Sequence, residues 1–235
     1  VINKKKLNDG DDYCNSSFGT IAITGDIHGN EFIRINQAKQ LGIDTLIVCG
    51  DFGYVWNDLN ENEYNLNIIE NIGVKVLFLD GNHENFDALE TYPYKNMFGG
   101  RVQVLRNNVI HLLRGEIYNI KNKKVFIMGG AVSIDKEYRI EGISWWNQEI
   151  PNEAERRKAL YNLNAEDNKV DIILTHTGPT SVIKQIDTEY GDEYTDFLET
   201  INKKIEFKQW YFGHMHINRK FDNKHMCIYT EFINF

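Results

Sequence analysis

The sequence predicts an α/β fold in one domain, and three observations carry that prediction. Short apolar, β-branched runs recur five times, and each stops abruptly at a glycine or a polar side chain. Helix-like segments separate the first three runs, which is the alternation of an α/β layer. Residues 101–128 then change character to closely spaced strands with polar turns.

The five runs are residues 20–24, 45–49, 74–79, 171–175 and 210–212. Continuous apolar runs of this length read as strands covered on both faces, and the flanking glycines favour strands over short buried helices. Between the first three, residues 31–41 and 61–72 read as helices. Right-handed crossovers then set the loops that follow the strands along one edge. Further strands are expected at 102–105, 109–113, 116–120 and 124–128, with turns at Asn107-Asn108 and Asn122-Lys123. Asn152 with Glu155 marks a capped helix running to Leu163, and 193–205 is another helical segment. No repeat or linker interrupts the chain, so a single domain is expected over 19–235 behind a flexible polar lead-in, residues 1–18. The run Lys4-Lys5-Lys6 in that lead-in reads as solvated charge.

A chain of 235 residues is long enough to bury about 70% of its unfolded surface without a stapling metal or disulfide. A net charge of -8 argues against an extended nucleic-acid surface, which rests on basic groups that displace counterions. Cys14, Cys49 and Cys227 are odd in number and lack CxxC spacing, which points to a reducing, cytoplasmic setting rather than a disulfide framework or a thiolate zinc site. No apolar run reaches the roughly 18 residues of a membrane span, and the polar start lacks a secretion signal's apolar stretch, so no membrane association is expected.

The chemistry sits where the five runs end. They lead into Gly25-Asp26-Ile27-His28, Gly50-Asp51, Gly81-Asn82-His83-Glu84, His176 and Gly213-His214-Met215-His216. Loops beyond strand ends collect binding groups because the chain turns there and side chains converge. Five of the seven histidines fall in these loops, which leaves His111 and His225 as packed or exposed strand histidines. Singly, Gly50-Asp51 and His176 are weak, since Gly-Asp is an everyday turn, and Asp26-Ile27-His28 divides evenly between ligands and an incidental pair. Gly81-Asn82-His83-Glu84 is stronger, and Gly213-His214-Met215-His216 stronger still, because two histidines flanking one residue at a strand end rarely serve packing. Together they place a metal-competent side chain at every strand end. Oxygen donors from Asp26, Asp51 and Asn82 mixed with imidazoles from His28, His176, His214 and His216 suit manganese, iron or zinc better than calcium or magnesium. Seven ligands suit two divalent transition-metal ions sharing a carboxylate about 3.5–4 Å apart better than one ion with an open position.

The ordered set D-x-H, G-D, G-N-H-E, H and G-H-x-H, running from Gly25 to His216, resembles the calcineurin-like metallophosphoesterase superfamily. Gly129-Gly130-Ala131, Ser133-Ile134-Asp135-Lys136 and Trp145-Trp146 are similar to a bacterial and phage subgroup of it. The resemblance implies a β-sandwich flanked by α-helices, with the site at the loop edge of the sheets. It implies that Asp26, His28 and His216 hold one metal, that Asn82, His176 and His214 hold the other, and that Asp51 bridges them. His83 would stay uncoordinated and face the leaving oxygen. One departure is plain: protein phosphatases of the family read G-D-x-x-D-R-G at the second motif, whereas this chain reads Gly50-Asp51-Phe52-Gly53-Tyr54-Val55-Trp56.

The implied reaction is hydrolysis of a phosphomonoester or phosphodiester by a metal-bridging hydroxide, with His83 as general acid. Arg139 or Lys136, on a loop expected to overhang the site, would replace the missing Arg clamp, with ordinary surface charge as the alternative. Asp135 and Glu84 are candidates to orient His83. Trp145 and Trp146 either stack a base or aromatic leaving group or anchor the loop, and Tyr54 and Trp56 either line the pocket or pack in the core, with packing the preferred reading. The expected substrate is a small phosphoester or nucleotide, and protein partners stay open. A non-catalytic scaffold on the same fold, like the related retromer subunit, is the rival reading, and the presence of all seven ligand positions with His83 argues against it.

Overall fold

The structure is a computed structural model that describes residues 18–56 and 59–235. Of the polar lead-in only Phe18 lies among them, buried in the central core; Lys4-Lys5-Lys6 and Cys14 lie outside the described residues. In chain order the first half contains β1 (Ile21–Thr24), α1 (Ile33–Gln40), β2 (Thr45–Cys49), α2 (Leu59–Ile72), β3 (Lys75–Leu79) and α3 (Phe86–Glu90). The meander follows as β4 (Tyr94–Met97), β5 (Gly100–Arg106), β6 (Val109–Leu112), β7 (Ile117–Ile120) and β8 (Lys123–Met128). The last part contains α4 (Glu153–Ala165), β9 (Ile172–Thr175), α5 (Thr180–Ile183), α6 (Glu193–Lys204) and β10 (Gln209–Phe212). Short edge strands β11 (Arg219–Lys220), β12 (His225–Cys227) and β13 (Ile233–Asn234) complete it.

Two mixed sheets face each other, in the orders β13-β1-β2-β3-β6-β5-β4 and β11-β12-β10-β9-β8-β7. Alternation along each strand sorts the side chains into three layers. Ile23, Ile47 and Leu77 point between the sheets toward Ile127, Ile172 and Leu174. Leu46, Val48 and Phe78 turn outward onto Ile35 of α1 and Leu66 and Ile69 of α2. On the far side Phe126, Ile173 and Trp210 pack against Leu163 of α4 and Leu198 of α6. The strands β1, β2 and β3 run parallel, as do β9 and β10, so their carboxyl ends meet along one edge of the sandwich.

Helix α4 shows how local sequence sets a boundary. Asn152 accepts from the Glu155 amide at 3.0 Å, and Glu155 accepts from the Asn152 amide at 2.8 Å. Removing such a cap costs about 1 kcal/mol. Two boundaries differ from the sequence expectation for a backbone reason. Glu31 and Phe32 take left-handed conformations, so α1 starts at Ile33 rather than at residue 31. The β7–β8 turn is Lys121-Asn122, both with positive φ as a two-residue type I′ hairpin requires, so β8 begins one residue before the expected start.

Candidate metal centre

The site is assembled from strand ends that need glycine to approach one another. A Cβ on Gly81 would stand 2.0 Å from Asp51 Oδ1, one on Gly213 2.1 Å from Asp26 Oδ1, and one on Gly50 2.2 Å from His176 Nδ1. Each of these glycines precedes a candidate ligand, which is the steric reason the motifs read Gly-Asp, Gly-Asn and Gly-His. The backbone is strained as well: His28, Asp51, His214 and His216 all have φ between 48° and 64°. Non-glycine residues seldom adopt this region, and strain of this kind concentrates at functional sites.

Asp26, Asp51, Asn82 and His176 are buried, His214 is half-buried, and His28 and His216 are exposed. Two groups of donor atoms form. Asp26, His28 and His216 bring one ligand atom each within 4.8 Å of the others, and so do Asp26, Asp51 and His176. Within the first group, His28 Nε2 lies 3.1 Å from His216 Nε2, which lies 3.1 Å from Asp26 Oδ2. Within the second, His176 Nε2 is 3.3 Å from Asp51 Oδ1, and Asn82 Oδ1 stands beside the group, 3.0 Å from His176 Nε2. The two Asp51 oxygens face different groups, since Oδ2 is 3.7 Å from His28 Nε2. His214 belongs to neither group; its ring meets the His176 ring edge-on at 5.0 Å between centroids.

His176 Nδ1 is 2.8 Å from the Cys49 carbonyl oxygen, an acceptor, so Nδ1 carries the proton and Nε2 turns inward. Burial opposes a charge on this ring, but Asp51 and Asp26 outweigh burial and push its pKa up to about 10. Burial likewise opposes the Asp51 carboxylate, yet His176, His83 and His28 hold it well below the usual carboxylate range. His214 goes the other way, down to about 4, because burial and the neighbouring His176 charge disfavour protonation. A neutral imidazole is the form that offers a lone pair to a metal.

These residues fit a bound cation. Asp51 Oδ2 is buried with no hydrogen-bond partner, and Asn82 Oδ1 and Asp51 Oδ1 converge on His176 Nε2 at 3.0 and 3.3 Å, so the positive charge that joins them is either the His176 proton or a metal that replaces it. Buried acceptors left facing one another are costly unless a positive charge joins them.

The remaining predicted residues divide. His83 lies in the wall of a cavity of about 500 Å3, together with Asn82, Asp135, His214 and His216. Its amide donates to Asp51 Oδ1 at 2.8 Å. Burial lowers the His83 pKa, with Asp51 opposing and Arg139 adding to the shift. The Arg139 guanidinium grips Asp135 through two bonds of 2.8 and 2.7 Å and reaches the Ser144 carbonyl at 3.0 Å. It therefore lies engaged beside the cavity rather than open within it. Lys136 is exposed on the same loop. Glu84 does not reach His83: its Oε1 accepts from the Phe52 amide at 2.7 Å, and burial with the nearby Asp51 raises its pKa to about 8. Trp146 is buried, donating to Asp87 and lying edge-on to Trp56, so it anchors the loop. Tyr54 stacks on Phe32 in the core. His111 and His225 are buried strand histidines with polar partners.

Two groups were not legible beforehand. Tyr229 stacks on His216 at 4.6 Å, which props an exposed ligand candidate. Glu149 is fully buried and bonded to Ser133, which in turn meets Asn82. No motif marks either residue.

Two solved structures align with this chain. TT1561 of Thermus thermophilus aligns with a TM-score of 0.50 at 10% identity, over 89% of this chain and 88% of that one, a likeness of fold. The sulfate thiohydrolase SoxB of Thermus thermophilus, solved with glycerol, aligns with a TM-score of 0.42 at 14% identity, over 91% of this chain and 52% of that one. No curated protein matches the sequence. The family model for calcineurin-like phosphoesterases matches residues 19–218, from the first strand through the last histidine motif, and the chain belongs to that family.

Proposed function

We propose that residues 19–235 form one catalytic domain, a dinuclear-metal-dependent phosphoesterase acting on small phosphomonoesters or phosphodiesters, nucleotides included. Manganese is the first choice of metal, with iron or zinc as alternatives, and the cytoplasm the proposed compartment. The observation that carries the reading is the convergence of buried ligand atoms, Asn82 Oδ1, His176 Nε2 and both oxygens of Asp51, with Asp51 Oδ2 unpartnered.

In this reading Asp26, His28 and His216 hold one ion, Asn82, His176 and His214 hold the other, and Asp51 offers one oxygen to each. When bound, two such ions supply Lewis acidity at the phosphoryl oxygens and an activated water at neutral pH. The chain's own part is positional and protonic. The Cys49 carbonyl fixes the His176 tautomer, and the Asp26 carboxylate accepts from the His214 amide at 2.9 Å, tying the fifth loop to the first. An imidazole nitrogen of His83 gives its proton to the leaving-group oxygen as general acid. Asp135 holds Arg139 as a fixed positive charge beside His83 rather than as a mobile clamp. Lys136 is exposed on the same loop. The cavity, walled by Val132, Ile134 and Asp135 on one side and Glu189 to Asp192 on the other, matches a small substrate.

The test is turnover of a chromogenic phosphomonoester beside its diester analogue by one manganese-loaded sample. Turnover of at least one, abolished by a chelator, is expected. Turnover of neither, by protein shown to hold metal, overturns the phosphoester assignment.

A further inference from the structure

We infer that Ser133 and Glu149, on the loop between β8 and α4, are positioning residues that lock the Asn82 side-chain amide with its oxygen toward the metals. The inference rests on the dinuclear reading above and goes beyond its ligand set.

An asparagine amide has one end that only accepts hydrogen bonds and one that only donates, and the two ends have almost the same shape. Asn82 therefore offers a metal either an oxygen ligand or a repelling NH2 group, according to a half-turn of one torsion. At one end the amide lies 3.0 Å from His176 Nε2, and at the other 3.0 Å from Ser133 Oγ. Neither contact alone decides the orientation, since both partners can be drawn as donor or acceptor.

Glu149 decides it. Its Oε1 accepts from the Ser133 amide at 3.1 Å, and its Oε2 accepts from the Ser133 hydroxyl. A hydroxyl has one proton, and that proton is committed to the carboxylate. Toward Asn82 the Ser133 oxygen has only a lone pair, so it must receive the Asn82 NH2. The Asn82 oxygen is then forced to the opposite side, toward His176 Nε2 and Asp51 Oδ1.

The arrangement is built to hold. Glu149 is fully buried, Ser133 is 3% exposed and Asn82 3% exposed, so water does not scramble the polarity of the chain. The Glu149 carbonyl accepts from Arg114 Nη2 at 3.3 Å, and a Cβ on Gly130 would stand 2.3 Å from that same carbonyl oxygen. The backbone that presents the carboxylate is thus pinned from two sides. A buried carboxylate is retained against its desolvation cost only where such bonds offset it.

The experiment is a chelator-competition titration of manganese on the full chain, for wild type and four variants. Wild type should bind two ions. Ser133→Ala leaves the Asn82 NH2 without its acceptor, and one of the two sites should weaken roughly 10- to 100-fold while the other is unchanged. Glu149→Gln keeps the side-chain volume, so it guards against mere misfolding. Its NH2 donates to Ser133 and frees the hydroxyl proton for Asn82, so the same site should weaken. The discriminating background is Asn82→Asp, in which both ends accept and orientation no longer matters. Adding Ser133→Ala to Asn82→Asp should cost less than about twofold. If Ser133→Ala weakens metal binding by the same factor in both backgrounds, or leaves both sites of the wild-type background unchanged, the locking role is wrong. A wild-type chain that takes up no ion at all overturns the dinuclear reading itself, a pattern distinct from either of these.

Discussion

Asp80 and Asn82 leave the end of β3 two residues apart, yet the buried polar clusters they join are built on opposite principles. Around Asp80 every donor meets an acceptor. Its Oδ1 faces His111 Nε2 at 3.2 Å, its Oδ2 takes the Arg114 Nε bond at 2.7 Å, and His111 Nδ1 meets Gln103 Oε1 at 2.8 Å. Around Asn82 the oxygens of Asn82 and Asp51 converge on His176 Nε2, and Asp51 Oδ2 has no hydrogen-bond partner at all. Burial and a high density of ionisable groups are common to both. A cavity borders each, and the larger, about 840 Å3, opens on the Asp80 cluster, whereas the centre with the metal-competent set borders the one of about 500 Å3. What separates a structural network from a metal centre is closure of charge and hydrogen bonds within the chain. Cavity size does not separate them.

The largest effect is expected on the closed side. Arg114→Ala leaves Asp80 buried without its main counter-charge and should cost roughly 3–5 kcal/mol, measured by denaturant unfolding. A loss below about 1 kcal/mol would mean that the network is not the structural element described. On the open side, His83→Ala should cost roughly a hundredfold to ten-thousandfold in turnover of an alkyl phosphoester, whose alkoxide needs a proton. The penalty on a nitrophenyl ester should be much smaller, since nitrophenolate leaves unaided. Equal losses on both substrates, at matched metal content and with chemistry rate-limiting, would show that His83 is not the acid.

Smaller effects sharpen the contrast. Burial alone would raise the Asp80 pKa, but Arg114 and His111 pull it from the ordinary 3.8 to about 2. Because the folded value lies below the unfolded one, this stabilisation, roughly 2 kcal/mol, is fully present above pH 3.8 and is lost as pH falls through about 2. Acid unfolding of Asp80→Asn should lack that segment of the pH dependence. Arg139→Ala should lower phosphoester turnover by about tenfold or less with metal content intact, because its guanidinium is engaged by Asp135. Unchanged kinetics would return it to a loop-bracing role.

Much of the open centre was legible because steric demands write themselves into sequence. Glycine precedes Asp51, Asn82 and His214 because a Cβ there would collide with another ligand candidate, and a strand end followed by such a pair survives as a readable motif. The five principal strands were legible for a related reason, being buried on both faces and therefore continuously apolar. The edge strands β4 and β11, exposed over most of their length, carry no such run. Glu149 and Tyr229 reach the site across long sequence separations, so nothing near them in the chain signals it. The left-handed backbone at His28, Asp51, His214 and His216 was equally hidden, since these residue types carry no preference strong enough to announce it. Arg139 illustrates the converse: its charge was visible, whereas the carboxylate that occupies it depends on how residues 135–144 curl.

Elemental analysis of the purified chain saturated with manganese tests most directly whether the ligand atoms around Asn82 and Asp51 hold two cations. The predicted result is close to two ions per chain, with Asp51→Asn lowering occupancy of both and His28→Ala mainly that of one. No more than one ion per chain at saturating metal would contradict the account.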